Sequence, residues 1–272
     1  MPPTDAGGPT RLDVALVARG LARSRSHATE LVRDGRVTVG GRAARKAAAT
    51  VDATAEIRVE ATDAWVSRAA VKLLAALDAF EIDPAGATAL DVGASTGGFS
   101  QVLLARGAAR VVALDVGHGQ LSSALTPEIA AGRLVSLEGR NARELTAESL
   151  APHHAAPIGL VVADLSFIGL PLVLPALVAA TPGAEYVVLI KPQFEVGRTG
   201  VREGIVREVG LRADAIEGVL WAAHDLGLRT AGLIASPITG SHGNAEYLAH
   251  LSRRSGSDPS QWRSTITSLT GA

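Results

Sequence analysis

The chain has 272 residues, of which 47% are hydrophobic, with no cysteine and a formal net charge of −1. This length allows a full hydrophobic core plus a small appended domain, and the lack of cysteine excludes disulfides, thiolate metal sites and cysteine nucleophiles. The histidines show no metal-ligand spacing beyond the adjacent pair His153-His154, which we expect in a surface loop, so we predict no metal site.

Residues 1–10 are rich in Pro and Gly and are expected to be disordered. They lack the apolar core of a signal peptide, and no apolar run of the chain approaches the roughly 20 residues that cross a bilayer. We therefore expect a cytoplasmic, monomeric protein without stable membrane association.

Residues 11–62 predict a small α+β domain. Apolar residues recur at helical spacing from Leu12 to Val17, and a second helix is predicted to start behind Ser24 and to end at Gly35. Alternating residues 37–39 then run into a Gly-Gly turn, and residues 55–59 read as a closing strand.

Charge is distributed unevenly between this small domain and the rest of the chain. Residues 11–46 carry nine Lys or Arg against three acids, a net charge of +6, whereas residues 63–272 carry 16 basic and 20 acidic residues. Such a basic segment is typical of a nucleic-acid contact surface, and ordinary solvated surface charge is the alternative.

Several short motifs of residues 11–62 resemble an S4 RNA-binding domain. The motifs are Arg11-Leu12-Asp13, Gly20-Leu21-Ala22-Arg23-Ser24-Arg25 and Gly35-Arg36-Val37-Thr38-Val39, followed by Gly41. The resemblance implies that basic side chains contact RNA backbone, which gives affinity and register with little base specificity. The residues expected to do so are Arg11, Arg23, Arg25, Arg36 and Lys46. Residues 63–66 are predicted to link this domain to a second one, residues 67–272.

The second domain predicts helices that alternate with seven strands. A helix is expected over 67–80, and the strands are expected at 88–92, 111–115, 134–137, 158–164, 184–190, 230–235 and 246–251. This alternation indicates a mostly parallel sheet covered on both faces, with ligands beyond the carboxyl ends of its strands.

A glycine-rich turn follows the first of these strands, in the run from Asp91 to Ser100. The dinucleotide pattern wants glycine at its first, third and sixth positions, and Ser95 in the third position weakens a pyrophosphate reading. Asp115 ends the next strand, where a carboxylate binds a ribose diol. Asp91 at the start of the turn suits a ligand with an ammonium group, and S-adenosylmethionine has one. A tight turn without a ligand is the alternative.

Four ionisable residues are placed to meet at one edge of the sheet. Asp164 and Lys191 each follow an apolar run, Glu246 opens the last strand, and Lys72 comes from the helix before the first strand. Glu246 reaches the same edge if the last strand runs antiparallel to the others. Taken singly, each residue also fits a helix cap or an exposed charge.

Together these four residues resemble the Lys-Asp-Lys-Glu tetrad of the 2′-O-ribose methyltransferases related to FtsJ. The run Lys191-Pro192-Gln193-Phe194-Glu195-Val196-Gly197, with Asp164-Leu165-Ser166-Phe167-Ile168 and Gly243-Asn244, is similar to the TlyA family in particular. That family joins an S4 domain to an FtsJ-like domain. The resemblance implies a Rossmann-like, seven-stranded class I methyltransferase that uses S-adenosylmethionine to methylate cytidine 2′-hydroxyls in 16S and 23S rRNA of the ribosomal subunits.

The resemblance also implies roles for individual residues. The catalytic residues would be Lys72, Asp164, Lys191 and Glu246, with Lys191 as the base, although either lysine could instead stabilise the alkoxide. The cofactor would lie against Asp91, Gly93, Ser95, Thr96, Gly97, Gly98, Phe99, Asp115 and Asn141. Asn141 would meet the adenine edge, with a turn-forming asparagine as the alternative. Asp63 stands where longer family members carry arginine, so a linker role of that arginine does not carry over.

Two other functions remain open from the sequence. One is an RNA-binding ribosome-assembly module whose methyltransferase shell is inactive. The other is a membrane-active hemolysin, a name also given to this family, although no segment combines the length, apolarity and basic flank that membrane insertion needs.

Overall fold

The computed structural model describes residues 8–22, 25–33, 35–59, 65–197, 200–201, 203–240 and 243–272, with the backbone alone at residues 26 and 30. The contacts divide the chain into unit 1, Met1–Ala64, and unit 2, Trp65–Ala272. Residues 1–7, which were predicted to be disordered, lie outside the described residues, and so do Arg23 and Asp63.

Unit 1 consists of two helices and short antiparallel strands around one small core. Its elements are β1 (Thr10–Arg11), α1 (Leu12–Ala18), α2 (Arg25–Arg33), β2 (Val37–Val39), β3 (Arg42–Ala43), β4 (Thr50–Val51) and β5 (Ile57–Val59). β1 pairs with β4, and β2 lies between β3 and β5. Two expectations are corrected: Thr10 is ordered because it pairs with Val51, and the closing strand begins at Ile57.

Unit 2 contains a seven-stranded sheet. Its strands are β6 (Thr88–Val92), β7 (Arg110–Leu114), β8 (Leu134–Leu137), β9 (Ile158–Ala163), β10 (Glu185–Ile190), β11 (Arg229–Ala235) and β12 (Tyr247–Ser252). Their order across the sheet is β11-β12-β10-β9-β6-β7-β8, and β12 runs antiparallel to both of its neighbours. The start of β12 therefore lies at the carboxyl edge of the parallel strands. Each predicted strand agrees with the structure to within one residue at either end, and Asp115, Asp164, Ala184 and Glu246, which were included in the predicted strands, directly flank the observed ones.

The helices of unit 2 cover both faces of this sheet. They are α3 (Ala69–Ala79), α4 (Gly98–Ala105), α5 (Thr126–Ala130), α6 (Ala147–Leu150), α7 (Leu174–Ala180), α8 (Pro192–Glu195), α9 (Val209–Asp225) and α10 (Arg263–Thr270). Alternate strand residues enter different cores: Leu90 packs with residues of α7 and α9, whereas Ala89 packs with residues of α3 and α4. Every residue of β6 is buried for this reason. The mixed α/β fold predicted from the sequence is confirmed.

Two further observations bear on the predictions for the whole chain. Within the described residues, no helix has both the length and the apolarity to cross a membrane. The same part of the chain contains no group of three His, Asp or Glu side chains that could hold a metal ion. His153 ends a short 3-10 turn, Ala151–His153, where a loop was expected.

Candidate active site

Four charged side chains meet at the carboxyl edge of the sheet of unit 2. Lys72 Nζ lies 2.6 Å from Glu246 Oε2 and 3.8 Å from Asp164 Oδ2. Lys191 Nζ lies 2.5 Å from Asp164 Oδ1. The four groups thus form one line of alternating charges in the order Glu246, Lys72, Asp164, Lys191. The structure brings together the four residues that the sequence singled out.

The fold explains why these residues meet although they are far apart in the chain. Asp164 and Lys191 directly follow β9 and β10, which are parallel neighbours. Glu246 directly precedes β12, the antiparallel neighbour of β10. Lys72 lies on the buried side of α3, which packs against β12.

Burial makes this charge line electrostatically demanding. Lys72, Lys191 and Glu246 are buried, with 7%, 8% and 4% of their surface exposed. Buried charges are tolerated when each has a partner of opposite sign, and here two ammonium groups balance two carboxylates. Burial raises the pKa of Asp164, but the charges of Lys191 and Lys72 outweigh it and hold that pKa below its usual value. Asp164 is therefore an anion at neutral pH.

The open end of the charge line lies at Lys191. Its ammonium donates to Ser166 Oγ at 3.1 Å and lies 5.9 Å from the ring centroid of Phe194. The Phe194 ring lies 5.3 Å from that of Phe167, which is 91% exposed and has φ +66°. A bulky residue whose backbone lies in the left-handed region is uncommon. Phe194 and Phe167 together form an aromatic wall that begins beside Lys191. The positions of Ser166 and Phe167 there were missed from the sequence, because local patterns do not tell which aromatic residue stays exposed.

The glycine-rich turn joins β6 to α4 beside this charge line. Gly93 and Gly97 have φ of +82° and +89°, values that side chains disfavour. A Cβ on Gly93 would lie 2.5 Å from the carbonyl oxygen of Asp164, so glycine lets the turn approach the end of β9. Thr96, Gly98 and Phe99 are buried in and behind the turn, and Ser95 is partly exposed.

Asp91 at the start of this turn has an unsatisfied oxygen. Its side chain is fully buried, Oδ2 accepts a hydrogen bond from Ser100 Oγ at 2.6 Å, and Oδ1 has no partner among the described residues. Burial raises the pKa of Asp91 to about 7, although the Ser100 hydrogen bond opposes the shift. A buried polar atom without a partner is rare in native proteins, and a donor from a ligand or an ordered water would satisfy it. Ser100 was missed from the sequence, where it is one more small residue in the turn.

Asp115 faces the same turn from the end of β7. Its Oδ2 accepts the Ser95 N–H and its Oδ1 accepts the Gly117 N–H, both at 2.7 Å. Each carboxylate oxygen can accept a second hydrogen bond. The exposed Val116 follows directly, with 72% of its surface accessible. Asp115 thus combines acceptor capacity with an apolar neighbour.

Asn141 lies in a local turn and, in the part of the chain that the structure describes, shows no bond toward the other candidate residues. It is exposed, and its side chain caps a 3-10 turn by accepting the Arg143 N–H at 3.1 Å while Nδ2 donates to Glu144. This geometry is that of the turn-forming alternative. A cofactor contact of Asn141 stays a prediction.

The candidate RNA-binding residues of unit 1 fall into two groups. Arg11 and Arg25 both donate to the carboxylate of Asp13, which is buried. Arg36 is half-buried and Lys46 is exposed. Asp13 was part of a quoted motif, but the sequence did not reveal its contact with both arginines.

Comparisons with known proteins agree with this architecture. Residues 65–253 match the FtsJ-like methyltransferase family and residues 10–57 match the S4 domain. The chain is 49% identical over 245 residues to the 16S/23S rRNA (cytidine-2′-O)-methyltransferase TlyA of Mycobacterium tuberculosis, with 89% of each chain covered.

Two further proteins are similar to this chain over most of its length. The 23S rRNA (cytidine-2′-O)-methyltransferase TlyA of Campylobacter jejuni is 32% identical over 188 residues, which cover 68% of this chain and 70% of that protein. A solved structure of a suspected hemolysin of Streptococcus thermophilus is 34% identical with a TM-score of 0.74, covering 97% of this chain and 95% of that one. The matched families confirm the predicted enzyme class, a methyltransferase. The chain belongs to the TlyA family, in which an S4 domain precedes an FtsJ-like methyltransferase domain.

Proposed function

We propose that this protein transfers a methyl group from S-adenosylmethionine to the 2′-oxygen of a cytidine ribose in ribosomal RNA. The observation that carries the proposal is the buried line of four alternating charges that ends at Lys191, beside a glycine turn with an unsatisfied carboxylate oxygen. The mycobacterial relative is named for this reaction. Unit 1, an S4 domain, would supply the RNA contacts.

The residues around the glycine turn fit the proposed cofactor. The unpartnered Asp91 Oδ1 would accept a hydrogen bond from the ammonium group of the cofactor, and Asp115 would accept hydrogen bonds from the cofactor's ribose hydroxyls. The exposed Val116 would pack against an apolar ring face. When bound, S-adenosylmethionine supplies a methyl carbon that is electrophilic because it is attached to a sulfonium.

The charge line would act on the attacking nucleophile. A ribose hydroxyl is a weak nucleophile at neutral pH, so the site must take up its proton or stabilise the alkoxide. In the transfer that the bound cofactor would supply, the 2′-oxygen would gain the methyl carbon, and the electron pair of the carbon–sulfur bond would stay on the departing sulfur. Lys191 would receive the proton as a neutral amine, or as an ammonium it would donate to the developing alkoxide. Lys72 is held between two carboxylates and would fix their positions.

The aromatic pair beside Lys191 would border the substrate. Base–aromatic stacking is a common way to hold an unpaired nucleotide, and the exposed ring of Phe167 offers such a surface. Its neighbour Phe194 has its ring centroid 5.9 Å from the Lys191 amine that would act on the ribose. This position favours a nucleotide substrate over a small apolar one.

Substitution of Lys191 tests the proposed reaction. Tritium transfer from S-adenosylmethionine to rRNA of isolated ribosomal subunits is expected to fall about a hundredfold or more in Lys191→Met. Lys191→Arg should stay similarly low if Lys191 is the base, because arginine keeps its proton. Arg106→Met, which removes an exposed cation paired with Asp78, is the matched control and should keep full activity.

Calorimetry of cofactor binding separates this proposal from its alternatives. Both Lys191 variants should bind S-adenosylmethionine within a few-fold of the unsubstituted protein. Tight binding to subunits with no methyl transfer by the unsubstituted protein would instead indicate a ribosome-assembly module with an inactive methyltransferase shell. Rupture of pure lipid vesicles by cofactor-free protein would favour the hemolysin alternative.

We further propose that both 16S and 23S rRNA are substrates. The mycobacterial relative, which covers more of this chain at higher identity, is named for both RNAs, whereas the Campylobacter protein is named for 23S rRNA. Mapping ribose methylation across rRNA from cells with and without this protein would test it. Loss of a methyl group from 23S rRNA alone would contradict the dual assignment.

A further inference from the structure

A buried carboxylate in unit 1 holds two arginine side chains at once. Asp13 is 3% exposed, and it accepts Nε and Nη2 of Arg11 at 3.0 and 2.9 Å. Its Oδ2 also accepts Nε and Nη2 of Arg25, at 3.3 and 3.0 Å. The backbone N–H of Val14 adds a further bond to Oδ1 at 3.0 Å. This arrangement fixes the carboxylate and both guanidinium groups.

Both guanidinium groups keep donors for a ligand. A guanidinium has five N–H donors, and each arginine uses its Nε edge on Asp13, which leaves Nη1 on the other side. The side chains of Arg11 and Arg25 remain 49% and 62% exposed. Hydrogen bonds and the charge of Arg11, with those of Arg25, hold the pKa of Asp13 well below its usual range. The cluster therefore carries a net charge of +1 at neutral pH, concentrated at two fixed, exposed groups.

Another arginine of unit 1 shows what a purely structural role looks like. Arg19 donates Nη1 to the carbonyl of Ala55 and Nη2 to the carbonyl of Ala53, both at 2.6 Å. Its guanidinium ties the end of α1 to the backbone of residues 53–55. Arg11 and Arg25 instead share an acid, which orders both side chains while their outer edges face solvent.

We propose that Asp13 is a positioning residue that holds Arg11 and Arg25 as one clamp for a backbone phosphate of RNA. The clamp rests on the proposed function, since it would serve the RNA contacts of unit 1. Arginine loses much conformational freedom when it binds, and side chains ordered in advance lose less. Paired guanidinium groups also match the geometry of a phosphate, which accepts several charge-assisted hydrogen bonds.

The substitution Asp13→Asn tests this inference by the sign of its effect. It removes a negative charge beside the RNA site, so charge alone predicts tighter binding of RNA. Loss of the clamp geometry predicts binding weaker by about tenfold. The measurement is filter binding to ribosomal subunits purified from cells that lack this protein, after circular dichroism has shown that the variant is folded.

Glu56→Gln is the matched control for the change in charge. Glu56 also pairs with an arginine two positions away, Arg58, but both side chains are exposed. This variant should bind subunits as tightly as the unsubstituted protein or slightly more tightly. Equal or tighter binding by Asp13→Asn would overturn the inference.

Arginine substitutions provide a second test that leaves Asp13 in place. Arg11→Gln and Arg25→Gln should each weaken binding, and the double variant should be little weaker than the weaker single variant, because one arginine alone no longer forms a clamp. Effects that multiply would show two independent contacts and would overturn the inference even if Asp13→Asn failed to fold.

The same variants separate this inference from the proposed function. If the arginine changes weaken binding but Asp13→Asn does not, the clamp fails while the RNA-binding role of unit 1 stands. If no change in unit 1 alters subunit binding or methyl transfer, the proposed RNA contacts fail as well.

Discussion

At the scale of single residues, partner choice separates the roles of the two lysines. Lys72 is buried, and its ammonium lies between the carboxylates of Glu246 and Asp164. Lys191 shares Asp164 with Lys72 but also faces Ser166 and the aromatic wall. We therefore expect substitutions of Lys72 and Glu246 to reduce both stability and methyl transfer. Substitutions of Lys191 should reduce methyl transfer more than stability.

Two carboxyl groups with raised pKa predict how stability depends on pH. Burial raises the pKa of Asp91 and of Glu195 to about 7, although hydrogen bonds from Ser100 and from the Leu170 N–H oppose the two shifts. A carboxyl group whose pKa is higher in the folded than in the unfolded protein stabilises the fold fully at pH values below its unfolded-state pKa. This contribution is lost as the pH rises through the folded-state pKa of about 7. The melting temperature should therefore fall between pH 5 and pH 8.

Asp91→Asn should flatten part of this fall, and Glu195→Gln should flatten another part. Burying the Asp91 charge costs on the order of 4 kcal/mol, so the cofactor-free variant is expected to be the more stable protein at pH 8. Scanning fluorimetry of both variants and of their double variant from pH 5 to pH 8 measures this effect. A constant difference between Asp91→Asn and the unsubstituted protein across that range would contradict it.

At the scale of elements, one turn sets the distance between the proposed cofactor site and the candidate catalytic edge. The turn from β6 to α4 passes over the end of β9, where the carbonyl of Asp164 leaves no room for a side chain at Gly93. The segment after β9 is tied in turn to α8, because Glu195 Oε1 accepts the Leu170 N–H at 3.0 Å. One of the two segments that border the candidate site is therefore held by close backbone packing, and the other by a hydrogen bond from a side chain to the backbone.

Gly93→Ala tests the importance of that close approach. The positive φ and the clash together should destabilise the protein by at least about 2 kcal/mol, seen as a lower melting temperature, and should weaken cofactor binding. Gly159→Ala in β9 is the control, because its Cβ would meet nothing within 4 Å. That change should be neutral or slightly stabilising. Equal melting temperatures for the two variants would refute the prediction.

At the scale of the whole molecule, charge and chemistry belong to different parts of the chain. The net charge of +6 lies in residues 11–46, whereas the residues of the candidate active site lie within residues 63–272, which carry a net charge of −4. The four charges of the site cancel one another. Long-range attraction to RNA should thus come from unit 1, and the charge line should act only at short range.

Salt dependence should distinguish these two contributions. Between 50 and 300 mM salt, the affinity of the full chain for ribosomal subunits should fall by more than about tenfold, because each phosphate contact releases counterions. The affinity for S-adenosylmethionine, measured by calorimetry in the same buffers, should change by less than about threefold. Similar losses for both ligands would contradict the division.

The sequence alone determined most of the fold, because strand and turn signals are local. Buried apolar runs located all seven strands of the sheet to within about a residue, and glycines located the turn after β6. An antiparallel last strand was the condition for Glu246 to reach the same edge as Asp164 and Lys191, and the structure meets that condition. The four charged residues could be singled out because three of them, Asp164, Lys191 and Glu246, directly flank strands that the sequence predicts.

Only the tertiary structure decided which side chains contact one another. The bond between Lys72 and Glu246 joins residues 174 positions apart, and the one between Asp13 and Arg25 joins two helices. The exposure of Phe167, the unsatisfied oxygen of Asp91 and the local cap made by Asn141 likewise depend on packing. The periodicity of a sequence reports the backbone and the buried face of each element, whereas the partner of a charged side chain is set by how distant elements pack.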